Sequence, residues 1–297
     1  MKKKPARRAP EPNVFVSSLC NQACVFCSAK DFHMGSDRTM SGREINSVLD
    51  RGFETLAIEG GEPLLDKKLE LRVARAAARG SREIIVFTNG LLLDAARIKS
   101  LLAAGVTKFN FNLPAHTAAL HDALCGSKGA LSAKIRAISL ALRLAPPGAV
   151  VLTFVVTALN YETLPAYMRF VAEKLPGVFY VSLNLVKVRG MVAKNTALVP
   201  RLSAVEPFLK RALEAAGAAG LRVITDGFPL CFMGGHKNYS LDPKKFMRSD
   251  SLYMGEKARS AACRPCLLRR VCAGPRRDYL RLYGAAELRP LRRKGKD

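Results

Sequence analysis

The sequence lacks any apolar run that approaches the roughly 20 residues needed to span a bilayer. Its N-terminus, MKKKPARRAPEP, is basic and proline-rich, and it has no apolar segment of the kind found in secretory signals. Acidic residues are scarce, because 24 Asp and Glu stand against 48 Lys and Arg, which gives a formal net charge of +24. We therefore expect a cytoplasmic protein without a membrane partner, preceded by a disordered basic arm over residues 1–12.

Lysine and arginine are concentrated at the two ends of the chain. Many lie in the N-terminal arm and in the stretch from Arg264 to Lys296. Residues 291–297 are expected to be a basic tail. Such a positive field favours an acidic partner, for example RNA, an acidic peptide or an acidic redox protein. Solvated surface charge in an arginine-rich proteome explains the excess equally well, so charge alone does not identify the partner.

Hydrophobic residues make up 49% of the 297 positions, enough for one barrel-sized domain and a small appendage. Short β-branched runs alternate with helical patterns. The predicted strands are 13–17, 55–59, 83–88, 108–113, 149–157 and 178–188, with a seventh candidate at 221–225. The predicted helices are 41–52 (opened by a Ser41-x-x-Glu44 capping box), 66–79, 94–104, 129–144, 164–174 and 203–219. Six strand–helix units predict an α/β fold with a parallel sheet covered by helices.

Three cysteines follow the first predicted strand with the spacing Cys20-x-x-x-Cys24-x-x-Cys27. Three thiolates on one short loop can hold three irons of a cubane [4Fe–4S] cluster and leave the fourth iron open. A structural zinc site would instead need four ligands. The segment CNQACVFC, with Phe26 before its last cysteine, resembles the signature of the radical S-adenosylmethionine (SAM) superfamily.

The resemblance implies a fold, two cofactors and a reaction. The fold would be a partial (β/α)6 barrel, and the cofactors a [4Fe–4S] cluster on the three cysteines and SAM. An electron donor such as flavodoxin or ferredoxin would reduce the cluster. SAM would then be cleaved to methionine and a 5′-deoxyadenosyl radical, which removes a hydrogen from the substrate.

In α/β folds, functional groups lie at the C-terminal ends of the strands. The second predicted strand ends in a GGEP turn, which resembles the superfamily motif that contacts the amino group of SAM. Its glycines would let the backbone approach a ligand closely, and Glu62 would offer a carboxylate to a cation. The third strand ends in a TNG turn, similar to one that lines the SAM site, although a plain Asn-Gly turn is the alternative. The implied cofactor-binding residues are Phe26, Gly60, Gly61, Glu62, Pro63, Thr88, Asn89, Asn112 and Asn160.

Other polar groups follow the later strands. The backbone of 188–190, after the sixth strand, is a candidate for packing against the adenine. His116 and His121 would contact substrate or relay a proton if they lie exposed at the barrel mouth, and a capping or surface role is an equal alternative. Cys125 is expected to be a packing residue.

A second cysteine group lies near the C-terminus. The spacing Cys263-x-x-Cys266-x5-Cys272 resembles part of the SPASM/twitch extension, with Cys231 as a fourth thiolate. The resemblance implies an auxiliary [4Fe–4S] cluster, and structural zinc is the rival. If Cys231 is not a ligand, a substrate could bind the vacant iron. The expected domains are a radical SAM barrel over 13–225 and a twitch-like, cysteine-rich domain over 226–290.

Together these features predict an enzyme that oxidises its substrate by hydrogen abstraction, the substrate being a peptide, a protein or a small molecule. An RNA- or nucleotide-modifying radical SAM enzyme is the main alternative. A zinc- or nucleic-acid-binding protein without catalysis would explain the cysteines and the charge, but it would not explain the polar turns at successive strand ends.

Overall fold

Seven parallel strands form one sheet in the order in which they occur along the chain. The computed structural model describes residues 13–28, 40–248 and 251–292, so the predicted basic arm and positions 293–297 of the predicted tail lie outside the described residues. The strands are β1 (Asn13–Phe15), β2 (Thr55–Glu59), β3 (Glu83–Thr88), β4 (Lys108–Asn112), β5 (Val150–Val156), β6 (Tyr180–Leu185) and β7 (Val223–Asp226).

Helices connect these strands and continue beyond the last of them. They are α1 (Gly42–Leu49), α2 (Leu69–Ala78), α3 (Ala95–Ala104), α4 (Ala118–Cys125), α5 (Ala130–Leu144), α6 (Leu164–Lys174), α7 (Met191–Lys194), α8 (Leu202–Ala218), α9 (Asp242–Met247), α10 (Ser251–Glu256) and α11 (Arg277–Tyr283). Among the described residues, no helix has the length and apolarity required to cross a membrane.

The strand order determines which face of the sheet the helices cover and leaves two strands at its edges. Parallel crossovers are right-handed, so an order that never reverses places successive helices on the same face of the sheet. β1 and β7 remain as two edges, and the sheet is open. The predicted α/β class is confirmed, and an open, curved parallel sheet is consistent with the predicted partial barrel. The candidate seventh strand is present as β7.

The two faces of the sheet differ in chemistry because strand side chains alternate. One face carries large apolar residues such as Ile58, Phe109 and Phe154, which are fully buried in the main hydrophobic core. The opposite positions are largely polar and partly exposed, as at Glu59 and Asn184. The core therefore lies between sheet and helices, and the concave face stays open.

Most predicted elements are present, with boundaries shifted by local contacts. The capping box is confirmed, because the Glu44 N–H donates to Ser41 Oγ and the Ser41 N–H donates to Glu44 Oε2, at 3.2 and 2.8 Å. The helix predicted from residue 66 begins only at Leu69, since a 3-10 turn occupies Pro63–Leu65. Helix α4 was not predicted. It ends at Cys125 and is followed by the capping residue Gly126, which has a positive φ of 59°.

Arg276 fastens the C-terminal segment to the end of β6. Its guanidinium donates to the carbonyls of Leu185, at 2.7 Å, and Val186, and it pairs with Asp278 at 3.1 Å. Asp278 in turn accepts the N–H of Val188 at 2.9 Å. These bonds occupy the backbone just beyond β6, which explains why the strand ends earlier than the predicted 188.

Replacing Arg276 should weaken this attachment. Arg276→Leu leaves two buried carbonyls without donors, and we expect a loss on the order of 3 kcal/mol in unfolding free energy. Chemical denaturation of the metal-free protein measures the loss. Arg281→Leu, at an exposed position on α11, is the matched control and should change stability by less than about 0.5 kcal/mol. Equal effects of the two changes would contradict the role given to Arg276.

Candidate cluster and cofactor site

The cysteine loop after β1 is held by its backbone. Ala23 and Val25 donate their N–H groups to the carbonyls of Cys125 and Leu124, each at 3.0 Å, at the end of α4. The carbonyl of Cys27 accepts the N–H of Met191 at 3.0 Å. A β-carbon at Gly190 would lie only 2.2 Å from that same carbonyl oxygen. Residues 188–190, predicted to pack against the adenine, thus hold the loop from its far side.

The three thiols of the loop interact electrostatically. Cys27 raises the pKa values of both Cys20 and Cys24 through its charge, a minor contribution beside burial and hydrogen bonding. The Gln22 N–H donates to Cys20 Sγ at 3.4 Å, and hydrogen bonds to sulfur are typical of iron–sulfur ligation. Within the described ranges, no three His, Cys, Asp or Glu side chains already stand in metal-binding geometry. The donor set, three thiols on one fixed loop, fits a cluster with an open iron.

The GGEP turn continues the pairing between β1 and β2 past the ends of the strands. Gly61 and Glu62 donate their N–H groups to the carbonyls of Ser17 and Leu19, both at 2.7 Å. A β-carbon would lie 2.4 Å from the Ser17 oxygen at Gly60, and 2.3 Å from the Leu19 oxygen at Gly61. The glycines were predicted to make room for a ligand. The backbone that approaches them so closely is the chain's own cysteine loop.

Glu62 is fully buried, and its carboxylate is used inside the protein. It accepts hydrogen bonds from the Leu64 N–H at 3.0 Å, from Thr88 Oγ1 at 2.7 Å and from the Asn89 N–H at 2.7 Å. Burial raises its pKa, and these bonds offset the rise in part. Glu62 thus ties the GGEP turn, which continues through the buried Pro63, to the TNG turn, and its contact with a cation stays a prediction.

Asn89 reaches from the TNG turn toward the cysteine loop. Its Nδ2 donates to Asn21 Oδ1 at 2.7 Å and lies 4.0 Å from Cys20 Sγ. Asn112, at the end of the neighbouring β4, has a buried Oδ1 with no hydrogen-bond partner among the described residues. A buried acceptor without a donor suits a ligand that carries hydroxyl or amino groups, as SAM does. Phe26 is buried in the core and anchors the loop.

Lys134 on α5 is a charged residue of the site that sequence reasoning missed. It is fully buried, and its Nζ donates to the carbonyl of Asn112 at 2.8 Å. Burial lowers its pKa, while the nearby Cys125, Cys24 and Glu62 oppose that shift. A lysine within an Ala- and Leu-rich helical pattern carries no signal that distinguishes it from a solvated one. Only the packing of α5 against the end of β4 reveals it.

Asn160 is fully buried and holds two strand ends together. Its Oδ1 accepts from the N–H and the hydroxyl of Thr157, at 2.7 and 3.1 Å. Its Nδ2 donates to the carbonyls of Pro114 and Val155, at 3.0 and 2.9 Å. Every donor and acceptor position of the amide is occupied. The side chain therefore has no polar atom left for the predicted cofactor contact.

The two histidines are not at the barrel mouth. His121 is fully buried in α4, and the prediction that it is exposed is wrong. His116 packs against Tyr167 and Phe170 of α6, with ring centroids 6.2 and 5.6 Å apart, so it belongs to the helical layer. Burial lowers the pKa of His116.

Cys125 is buried, as predicted for a packing residue, but it also meets the cysteine loop. A hydrogen bond between the thiols of Cys24 and Cys125 raises the pKa of Cys24 and lowers that of Cys125. Cys125 therefore packs directly beside a predicted cluster ligand.

The second cysteine group lines one cavity. Its empty space is about 410 Å³ including the open mouth, and the apolar part of the wall includes Leu268 and Leu288. The Gly274 N–H donates to Cys272 Sγ at 3.4 Å, the same i+2 arrangement as at Cys20. Burial raises the pKa of Cys231 to about 11. The cysteines around this cavity are Cys231, Cys263, Cys266 and Cys272.

Adding a β-carbon at Gly61 should displace the cysteine loop. We expect Gly61→Ala to cost about 2 kcal/mol in unfolding free energy and to remove about four irons per chain after anaerobic reconstitution. Iron analysis and denaturation check both values. Gly42→Ala is the control, because no atom lies within 4 Å of the added carbon. Full iron retention in Gly61→Ala would contradict the proposed contact.

Comparison with known proteins agrees with this site. A profile described as the radical SAM superfamily matches residues 14–171, more than half of the chain. A GTP 3′,8-cyclase from Synechococcus elongatus is 31% identical over 179 residues, 57% of this chain and 53% of the relative. A probable GTP 3′,8-cyclase from Methanopyrus kandleri is 28% identical over 191 residues, 63% and 59% of the two chains. The chain thus spans only somewhat more than half the length of these curated relatives.

Solved structures share the fold. Streptococcus suis SuiB bound to the precursor peptide SuiA covers 72% of this chain and 48% of its own, with a TM-score of 0.58 and 16% identity. Native anSMEcpe with bound AdoMet covers 72% and 62%, with a TM-score of 0.56 and 19% identity. At these identities the similarity shows the fold alone. With the family match and the cysteine loop, it leads to one conclusion: the chain belongs to the radical SAM superfamily, a family of enzymes that use a [4Fe–4S] cluster and S-adenosylmethionine.

Proposed function

We propose that this radical SAM enzyme oxidises a peptide or a small molecule and that its C-terminal cysteines hold an auxiliary [4Fe–4S] cluster. The observation that carries the proposal is the cavity lined by four cysteines beyond the end of the sheet. Four thiolates would close the coordination of a cubane cluster, which suits electron transfer rather than substrate ligation. Such a site could take up the second electron of a two-electron oxidation.

The proposed domains follow from the same features. A barrel over 13–225 would carry the cluster that binds SAM, and a twitch-like domain over 226–290 would carry the auxiliary cluster. The Arg276 contacts with the end of β6 support a fixed attachment between the two. Radical SAM enzymes need an electron donor, and flavodoxin or ferredoxin is proposed for this one.

In this proposal, different residues around the cysteine loop bind the cluster and SAM. Cys20, Cys24 and Cys27 would bind the cluster, which supplies the electron that cleaves SAM. Asn112 would accept a hydrogen bond from SAM through its unpartnered Oδ1. Lys134 would face the carboxylate of SAM, because its ammonium can donate three hydrogen bonds and one of them goes to the carbonyl of Asn112.

A nucleotide substrate is the second candidate. The specific observation in its favour is that the curated relatives are named GTP 3′,8-cyclases. The net charge of +24 would also suit a phosphate-bearing molecule or an RNA. RNA binding driven by this charge would weaken steeply with added salt.

Metal content tests the proposal. After anaerobic purification and reconstitution, we expect about eight irons with matching sulfide per chain. A variant with Cys263→Ala and Cys266→Ala should keep about four irons and the ability to bind SAM. A variant with all three loop cysteines replaced by alanine should also keep about four irons but lose SAM binding.

Zinc must be measured on the same samples, since it is the rival for the C-terminal site. About four irons and one zinc in the wild-type chain would contradict the auxiliary cluster and leave the family chemistry intact. The auxiliary cluster would be supported by about four irons that are present in the wild-type chain and missing from the variant with Cys263→Ala and Cys266→Ala.

The role of Lys134 is tested by removing its charge. Lys134→Met should raise the Kd for SAM at least tenfold on the cluster-loaded protein, a loss of about 1.4 kcal/mol. The same change should leave the metal-free protein folded, because a buried charge is replaced by an apolar chain of similar size. Lys99→Met, on an exposed position of α3, is the control. Unchanged SAM affinity in Lys134→Met would assign the lysine a purely structural role.

A further inference from the structure

The concave face of the sheet presents polar side chains where a closed barrel is filled with apolar ones. Thr153 Oγ1 donates to Asn110 Oδ1 at 2.7 Å, and Ser182 Oγ donates to Asn184 Oδ1 at 2.8 Å. The two pairs are adjacent, because Thr153 is the register partner of Ser182. We call this surface the polar wall. Its residues are Glu59, Asn110, Asn112, Thr153, Ser182 and Asn184.

Glu59 lies on the same face of the sheet, on the side of the cysteine loop, with Phe87 of β3 between it and Asn110 in the register. It is the last residue of β2, directly before the GGEP turn, and its register partner on β1 is Phe15. Within the described part of the chain, no hydrogen bond or ion pair is formed by its carboxylate, and the residue is only partly exposed. Burial raises its pKa to about 7, and the charge of Lys187 opposes the rise.

The nearby cations are already paired with other carboxylates. Lys187 donates to both carboxylate oxygens of Glu256, each at 2.8 Å. Lys245 donates to Asp226, the last residue of β7, at 2.5 Å. Glu59 thus has no ion-pair partner of its own among the described residues, and the amides and hydroxyls of the polar wall are neutral. Such a surface attracts a hydrogen-bond donor or a cation and disfavours a phosphate, which only accepts.

We propose that the polar wall is the substrate-binding surface and that Glu59 receives a primary ammonium group of the substrate. The proposal rests on the proposed function and names the substrate class for it. Two sources of this group fit the wall: an amino sugar, or a lysine side chain of a short peptide. The amides and hydroxyls of the wall would hydrogen-bond the rest of the molecule.

The test uses the full chain with its clusters reconstituted, together with SAM and dithionite. Formation of 5′-deoxyadenosine is measured without a probe and with three sets of probes: amino sugars, short lysine peptides, and the nucleoside triphosphates GTP and ATP. We expect an amine-bearing set to raise the rate at least tenfold, and the set that does so identifies the source. In Glu59→Gln, the KM for the active probe should rise at least tenfold.

One further readout in Glu59→Gln separates substrate binding from cofactor binding: the Kd for SAM should stay within twofold of the wild-type value. Glu173→Gln makes the same chemical change at an exposed position of α6. It should leave the rate without a probe, the KM for the active probe and the Kd for SAM unchanged.

Several results would overturn the proposal. These are stimulation by a nucleoside triphosphate but by no amine, stimulation by no probe at all, or an unchanged KM for an amine in Glu59→Gln. A tenfold weaker binding of SAM in Glu59→Gln would make Glu59 a cofactor ligand instead. The proposed function itself is tested by the separate iron analysis. An iron content of about four per chain would contradict the auxiliary cluster.

Discussion

The site depends on backbone pairing that continues beyond the ends of β1 and β2. Gly61 and Glu62 donate to the carbonyls of Ser17 and Leu19, and this pairing leaves no space for a side chain at Gly60 or Gly61. The first strand has only three residues, so its own ladder is too short to place a loop accurately. The added pairing fixes the backbone immediately before Cys20. The position of the cysteine loop relative to the sheet therefore depends on these two hydrogen bonds.

Glu62 extends the same constraint to the next strand. Because its carboxylate joins Leu64, Thr88 and the Asn89 N–H, the turns after β2 and β3 form one unit. Asn89 then bonds Asn21 in the cysteine loop. These hydrogen bonds offset part of the cost of burying the Glu62 carboxylate, and the loss of one donor would cost roughly 1–3 kcal/mol. The GGEP turn therefore connects neighbouring strand ends in addition to its predicted role in binding.

Much of the fold can be predicted from sequence patterns. The contact between Gly61 and the Leu19 carbonyl, on which the Gly61→Ala prediction rests, cannot be, because it joins two separate turns. The strand–helix alternation and the capping box at Ser41 are local, so they can be recognised without a structure. The cysteine spacing and the GGEP turn also indicate the family. Lys134 and Glu59 could not be found, because each gains its meaning from groups on other strands. His121 was misjudged for the same reason: a histidine beside a strand end can face either the open side or the core.

The link between β6 and the C-terminal segment has a thermodynamic consequence. Arg276 holds the carbonyls of Leu185 and Val186, and four residues earlier in the chain Cys272 lies in the cavity of the second cysteine group. Any ligand that binds only the folded arrangement of those cysteines stabilises it by mass action. That gain reaches the end of β6, since this strand end and the cysteine segment share the same arginine. Metal supply would therefore influence how long the end of β6 keeps its folded arrangement.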